Sequence, residues 1–275
     1  MKNACLLRPV SRLVIIFTLV GPLTVHADLI AVDSSRALYN INMTTGAKTQ
    51  IGTVSANAGT TAALAFNPVS GVVYLSSTST DSLYTLDLVT GTATLVGFYG
   101  DAAVVMHGLE YDDSTGVLYG VSSHNNGLYN INPLTGVATL IGTSGLSSFT
   151  NLGYNSITDQ MFATNSGADS FYLMNRANGS VNLIGPLNGP TNPNGLAFDR
   201  DNGTLYMVDN NTDSLYTINM TTGAATLIGS TGPGNLLGLV YIPVPEPSTF
   251  VLAVLGLGAV SWCLFRRRRL RRLPD

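Results

Sequence analysis

The chain is predicted to be all-β, a five-bladed β-propeller of four-stranded antiparallel blades. Three observations predict it. A nearly identical phrase begins at Tyr39, Tyr84, Tyr129, Tyr172 and Tyr216, at spacings of 45, 45, 43 and 44 residues. Each copy holds four short segments rich in aromatic and β-branched residues. The strand missing from the first copy turns up after the last one. A fixed period in this range means one supersecondary unit stacked several times, and about 44 residues per unit suits a blade, whereas a β-helix coil is much shorter.

Residues 1–27 read as a signal peptide. Lys2, Arg8 and Arg12 precede an apolar run from Leu13 to Leu23, and Val25-His26-Ala27 has the small-residue pattern of a signal-peptidase site. The run is shorter than the roughly 20 residues of a spanning helix, so export with cleavage before Asp28 is expected.

The propeller is placed at 28–242. Its first copy offers strands at 29–32, 37–41 and 49–52, and Gly238 to Tyr241 supplies the fourth. A lone sheet edge would otherwise stay unpaired, so the C-terminal strand is expected to close the ring. The blades are placed at about 29–52 with 238–241, then 64–97, 108–142, 151–185 and 195–229. In the fifth copy the strands are Gly195 to Phe198, Thr204 to Val208, Ser214 to Ile218 and Ala225 to Gly229.

Turn chemistry repeats as strictly. Asn42 to Gly46, Asp87 to Gly91, Asn132 to Gly136, Asn175 to Gly179 and Asn219 to Gly223 join third to fourth strands. In each, an Asn or Asp starts the turn and a Gly four residues later takes the positive φ that ends it. Between first and second strands, Asn67 to Gly71, Asp112 to Gly116 and Asp199 to Gly203 follow the same plan, but the fourth copy ends in Asp159, so an altered turn is expected there. Leu64, Leu109, Leu152, Leu196 and Leu239 form one column of the first strand, with Phe66, Tyr111, Tyr154, Phe198 and Tyr241 two residues on. Spacing of two puts both columns on one face, expected to pack between blades.

Residues 243–275 form a separate tail. An apolar run from Thr249 to Phe265 is followed at once by Arg266, Arg267, Arg268 and Arg269. The run is expected to be a transmembrane helix, short at about 25 Å, that anchors the chain in the inner membrane with the arginines cytoplasmic and the propeller outside.

Pro245-Glu246-Pro247, the apolar run and the arginine cluster, in that order before the C-terminus, resemble the PEP-CTERM sorting signal of exported bacterial proteins. The resemblance implies a Gram-negative envelope, sorting by an exosortase-type enzyme and association with exopolysaccharide at the cell surface or in the extracellular matrix. Within the blades, Leu205-Tyr206-Met207-Val208-Asp209 is spaced similarly to YWTD-type and NHL-type blades. Leu118 to Ser122 lacks the acid and no blade carries the tryptophan, so neither family's function is carried over.

Composition narrows the function. Between 28 and 244 the acidic residues outnumber Arg36, Lys48, Arg176 and Arg200 by ten. A region near −10 repels phosphate backbones, which argues against nucleic acid and leaves cations or neutral sugars as natural small partners. Cys5 and Cys263 lie in the two terminal segments, so the mature domain has no disulfide, thiolate metal site or cysteine nucleophile.

Catalytic chemistry is thinly supplied. His107 and His124 are the only histidines left after export, and Glu110 is the sole Glu before Glu246. No catalytic residues, metal ligands or cofactor are assigned. Asp209 to Asp213 begins like an EF-hand loop but has Ser214 where Gly is needed and Met220 in place of the bidentate Glu, so it reads as a hairpin. One site breaks the periodicity. Glu110 occupies a column otherwise filled by Ala65, Gly153, Ala197 and Val240, and His107 one filled by Ala62, Thr150, Asn194 and Leu237. His107, Glu110 and Asn194 are expected to line the channel mouth and bind a ligand, either a cation or a sugar. The expected function is a non-catalytic binding module, and the alternative is an envelope lyase or hydrolase working at the channel mouth.

Overall fold

The computed structural model describes residues 27–243. The signal segment and the motif residues Pro245, Glu246, Pro247 and Arg266 to Arg269 lie outside them. Twenty strands form five separate four-stranded antiparallel sheets around one axis. Blade one begins with β1 (Asp28–Asp33), β2 (Ala37–Ile41) and β3 (Lys48–Thr53). Blade two is β4 (Thr61–Asn67), β5 (Val72–Ser77), β6 (Ser82–Leu86) and β7 (Ala93–Phe98). Blade three is β8 (Met106–Asp112), β9 (Val117–Ser122), β10 (Gly127–Ile131) and β11 (Ala138–Thr143). Blade four is β12 (Phe149–Asn155), β13 (Gln160–Asn165), β14 (Ser170–Met174) and β15 (Val181–Pro186). Blade five is β16 (Pro193–Asp199), β17 (Thr204–Asp209), β18 (Ser214–Ile218) and β19 (Ala225–Ser230).

The last strand, β20 (Leu236–Ile242), pairs with β1, Tyr241 opposite Leu29 and Leu239 opposite Ala31. The expectation that the C-terminal strand closes the ring is corrected in one respect, since no sheet runs closed around it. β20 completes blade one, and the ladder stops there, because blades present faces to their neighbours and strand edges to the axis and rim. The ring is held by packing between faces.

A second correction concerns the tail. No helix among the described residues is long and apolar enough to cross a membrane, and the expected transmembrane segment, 249–265, lies outside them. The C-terminal membrane anchor, the inner membrane as a partner and a membrane-anchored location are therefore withdrawn.

Five apolar clusters, one per seam between blades, make up the core. In the seam of blades one and two, Val32 and Leu38 meet Leu64, Leu75 and Tyr84. In that of blades three and four, Val121 and Leu128 meet Phe149, Leu152 and Met161. The five leucines of the first-strand column fall in five different clusters, each at most 3 % exposed, so this column works as packing. The repeat tyrosines mark a second regularity. Register shifts at Tyr39, Tyr84, Tyr129, Tyr172 and Tyr216 bulge each outermost strand, which twists the exposed edge and blunts it against pairing with another chain.

At the rim, neighbouring blades touch through backbone. The glycines ending the outer hairpins, Gly46, Gly136, Gly179 and Gly223, lie against Gly229, Gly97, Gly142 and Gly185 of the preceding blade, and Gly91 lies against Thr53. All five hairpin glycines have positive φ, from 72° to 80°. A methyl group there meets both a strained conformation and a wall of backbone. Gly223→Ala, whose Cβ would stand 2.7 Å from the Gly185 carbonyl oxygen, is expected to cost about 2–4 kcal/mol in denaturant unfolding. Gly71→Ala, at φ 72° with nothing within 4 Å, should cost only about 1 kcal/mol.

Candidate functional site

The innermost strands β20, β4, β8, β12 and β16 pair on one side only, so their free edges line the channel. Its front mouth lies where these strands end and the first hairpins begin. A narrow space of about 20 Å³ is lined there by Phe66, Glu110, Tyr111, Tyr154, Arg200 and Tyr241. A smaller space at the back is lined by Ala63, His107, Gly108, Asn151, Gly195 and Gly238. Leu64, Leu196 and Leu239 border both.

The three expected site residues are thus not brought together. His107 and Glu110 are three residues apart in one extended strand, about 10 Å along its axis, and they line opposite ends of the channel. His107 Nδ1 lies 2.8 Å from the Ser123 hydroxyl. Burial holds its pKa down, partly offset by a backbone hydrogen bond at Val105, with the charge of His124 acting in the same direction as burial. Asn194 is buried, and its amide donates to the Asn192 carbonyl at 3.0 Å and side-chain oxygen at 3.2 Å.

Glu110 bridges two blades. One carboxylate oxygen accepts the Tyr111 N–H at 3.0 Å, the other accepts the Tyr154 N–H of blade four at 3.1 Å. Burial pushes its pKa from the ordinary 4.5 to about 8, against the pull of those two N–H groups and the Arg200 charge, while Asp113 adds to the rise. Arg200 of blade five donates to Asp113 of blade three at 2.7 Å. This ion pair joins the two blades that flank blade four, and Arg200 lines the front mouth.

A further charged group that sequence reasoning passed over lies alongside, at the junction of blades three and four. Arg176 pairs with the fully buried Asp112 and, at 2.8 Å, with Asp159. Asp159 also accepts the Tyr154 hydroxyl at 2.8 Å and the Ser114 hydroxyl at 3.1 Å. Burial pushes the Asp112 pKa up, but hydrogen bonds from Ser114 and Thr115 and the Arg176 charge outweigh it and hold it below the ordinary value. The signal for this cluster was present in the repeat columns. Arg176 stands where the other copies have Met43, Leu88, Pro133 and Met220, and Asp159 where three others have Gly. Asp159 takes φ 57°, so the fourth turn, expected to be altered, keeps a left-handed residue at this position.

The Asp209 loop is a hairpin. One oxygen of Asp209 accepts from the Asn211 and Thr212 N–H groups and the Thr212 hydroxyl, and the other accepts from Asn192. Asp199 likewise accepts the N–H groups of Asp201 and Asn202. Both carboxylates are occupied in shaping turns.

Comparison with known proteins identifies the tail and the fold separately. Residues 243–269 match the PEP-CTERM protein-sorting motif. No curated protein matches the chain in sequence. Among solved structures it is similar to a chain of a nidogen/laminin complex (TM-score 0.58, 13 % identity, over 80 % of this chain and 99 % of that one). It is also similar to a symmetrical protein from a study of de novo evolutionary emergence (0.55, 22 %, over 80 % and 100 %). A third is a structural genomics protein of unknown function from Bacteroides thetaiotaomicron (0.54, 18 %, over 79 % and 60 %). At these identities the likeness speaks for the fold alone. With the sorting motif, it makes the chain an exosortase-sorted, extracellular five-bladed β-propeller.

Glu110 has a testable pH signature. The proton it retains contributes stability fully present below about 4.5 and lost as pH rises through about 8, at up to about 1.4 kcal/mol per pH unit. Urea unfolding from pH 4.5 to 8.5 is expected to show this decline in the native chain. In Glu110→Gln the decline should be absent.

Proposed function

We propose that this propeller is a non-catalytic binding module of the bacterial cell surface or extracellular matrix, with its ligand seated at the front mouth of the channel. One observation carries the reading. The charged residues that depart from the repeat share one face of the ring, with Glu110 and Arg200 at the channel mouth, Asp113 paired to Arg200, and Asp159 and Arg176 farther out on blade four, while the equivalent columns elsewhere hold small or apolar residues. In a repeat built for packing, residues that break the pattern in one place are the natural candidates for recognition.

Binding is favoured over turnover by how these groups are engaged. Each carboxylate in the cluster is held by backbone N–H groups, hydroxyls or an arginine. Such fixed partners suit a rigid recognition surface better than proton transfer, which needs a group free to face the reacting atom. The raised pKa of Glu110 favours a second reading, in which Glu110 serves as the general acid of an envelope hydrolase or lyase.

A neutral-glycan array, followed by size analysis of any polysaccharide retained, separates the two. Under the binding reading the native chain retains glycan without shortening it, and Glu110→Ala weakens retention at least tenfold. Unchanged retention in that variant would remove the front mouth as the site. Shortened chains would put the enzyme reading in its place.

A further inference from the structure

Blades two and four each carry a groove between their outer strands and the front hairpins. The register fixes its lining in blade four. Phe162 stands opposite Leu173 and Leu173 opposite Asn182, and a spacing of two adds Gln160 and Asn175 to the same face. With Asp159 and Arg176 from the two hairpins, these residues border a space of about 260 Å³, near the lower end of the roughly 300–1,000 Å³ that small-molecule sites span. On blade two the corresponding groove is larger, about 550 Å³, and is lined by Val72, Thr85 and Thr94 at the positions of Gln160, Leu173 and Asn182. The repeat thus supplies an internal control. Gln160 stands where other copies have Val72, Val117 and Thr204, Asn182 where they have Thr49, Thr94, Thr139 and Thr226, and Asp159 and Arg176 break their columns as well. Four departures from the repeat, carried on two strands and two hairpins, converge on one groove.

We propose that this groove of blade four is a binding site for a neutral sugar ring. It takes from the front-mouth reading only the class of ligand, a neutral glycan, and stands on different residues. Its polar groups are held at one atom and left open at another. Asp159 accepts the Tyr154 and Ser114 hydroxyls and the Arg176 guanidinium through a single oxygen. Asn175 uses its side-chain carbonyl on the Ala177 N–H at 2.9 Å, and Gln160 uses its own on the Thr158 hydroxyl at 2.9 Å. Among the described residues, the second Asp159 oxygen, the NH₂ groups of Gln160 and Asn175 and the whole Asn182 amide have no protein partner. Groups fixed in this way lose little freedom when a ligand arrives. A sugar hydroxyl both donates and accepts, so it suits this mixed set, whereas a metal ion takes acceptors only and a phosphate takes donors. The charge balance points the same way. Arg176 is already matched by Asp112 and Asp159, which leaves nothing to draw an anionic sugar. Half-buried Leu173 supplies an apolar floor for the C–H face of the ring.

The test takes its substitutions from the repeat itself, so that the fold is kept. The purified full-length chain is screened on an array of neutral and acidic oligosaccharides, and the neutral oligosaccharide retained best is titrated calorimetrically. Gln160→Val and Asn182→Thr, the residues that blade two carries, should each weaken binding by about fivefold, the worth of one hydrogen bond, and leave Tm unchanged. Thr94→Ala, in the groove of blade two, should leave affinity unchanged. The assignment is overturned if the native chain retains no neutral oligosaccharide, if it retains acidic ones in preference, if both blade-four variants bind as well as the native chain, or if Thr94→Ala is the variant that loses the ligand. Glu110→Ala separates the two sites. Binding lost in that variant but kept in Gln160→Val and Asn182→Thr would overturn the groove and leave the front mouth, and the reverse would overturn the front mouth and leave the groove.

Discussion

Everything in this ring depends on how closely one blade's outer hairpin can approach the backbone of the blade before it. At the inner edge apolar side chains set the distance between blades, but at the rim it is set by main chain against main chain. Glycine meets two demands at once there. It allows the left-handed conformation that ends the hairpin, and it removes the Cβ that would hold the blades apart. Across the ring the contact recurs with a glycine on the hairpin side every time, and on the strand side in all but one seam. Regular spacing at the rim is what makes five sheets converge on one axis, and so what brings the free edges of the inner strands together.

That regularity also makes exceptions informative. Where four of five copies agree on a small residue, the fifth can be read against an internal control. Glu110 is the clearest case, and the structure gives it partners in two blades. The Asp113–Arg200 pair is the more unusual, since it joins blades that share no seam. Beside it, Asp112 and Arg176 form a pair with one fully buried member, an arrangement in which removal of either partner costs far more than the pair itself contributes. These charges are spread over blades three, four and five, which gives an otherwise nearly five-fold object one distinctive sector.

The blade count and the turn glycines were legible in the sequence because both are local and repeated. Period, strand pattern and hairpin residues each involve neighbours within a few positions. The grouping of His107 with Glu110 failed for a geometric reason. Each departs from its own column, but three residues of extended chain carry them to opposite ends of a short channel. The reach of Arg200 to Asp113 was not legible either, since it depends on two side chains bending across the axis from blades that share no ladder. Asp159 was legible as an exception but not as a tolerated one. An aspartate can occupy the left-handed region when its carboxylate is held from several sides, here by Tyr154, Ser114 and Arg176.

The mixed first blade carries a consequence for biogenesis. Its inner strand ends at Ile242, and the matched sorting motif starts at residue 243. Blade one cannot be completed until nearly the whole domain has been made, so the ladder that spans the longest stretch of sequence waits for the last strand. The motif therefore follows directly on the strand that completes the fold, and is made only once the polypeptide needed for blade one has been translated.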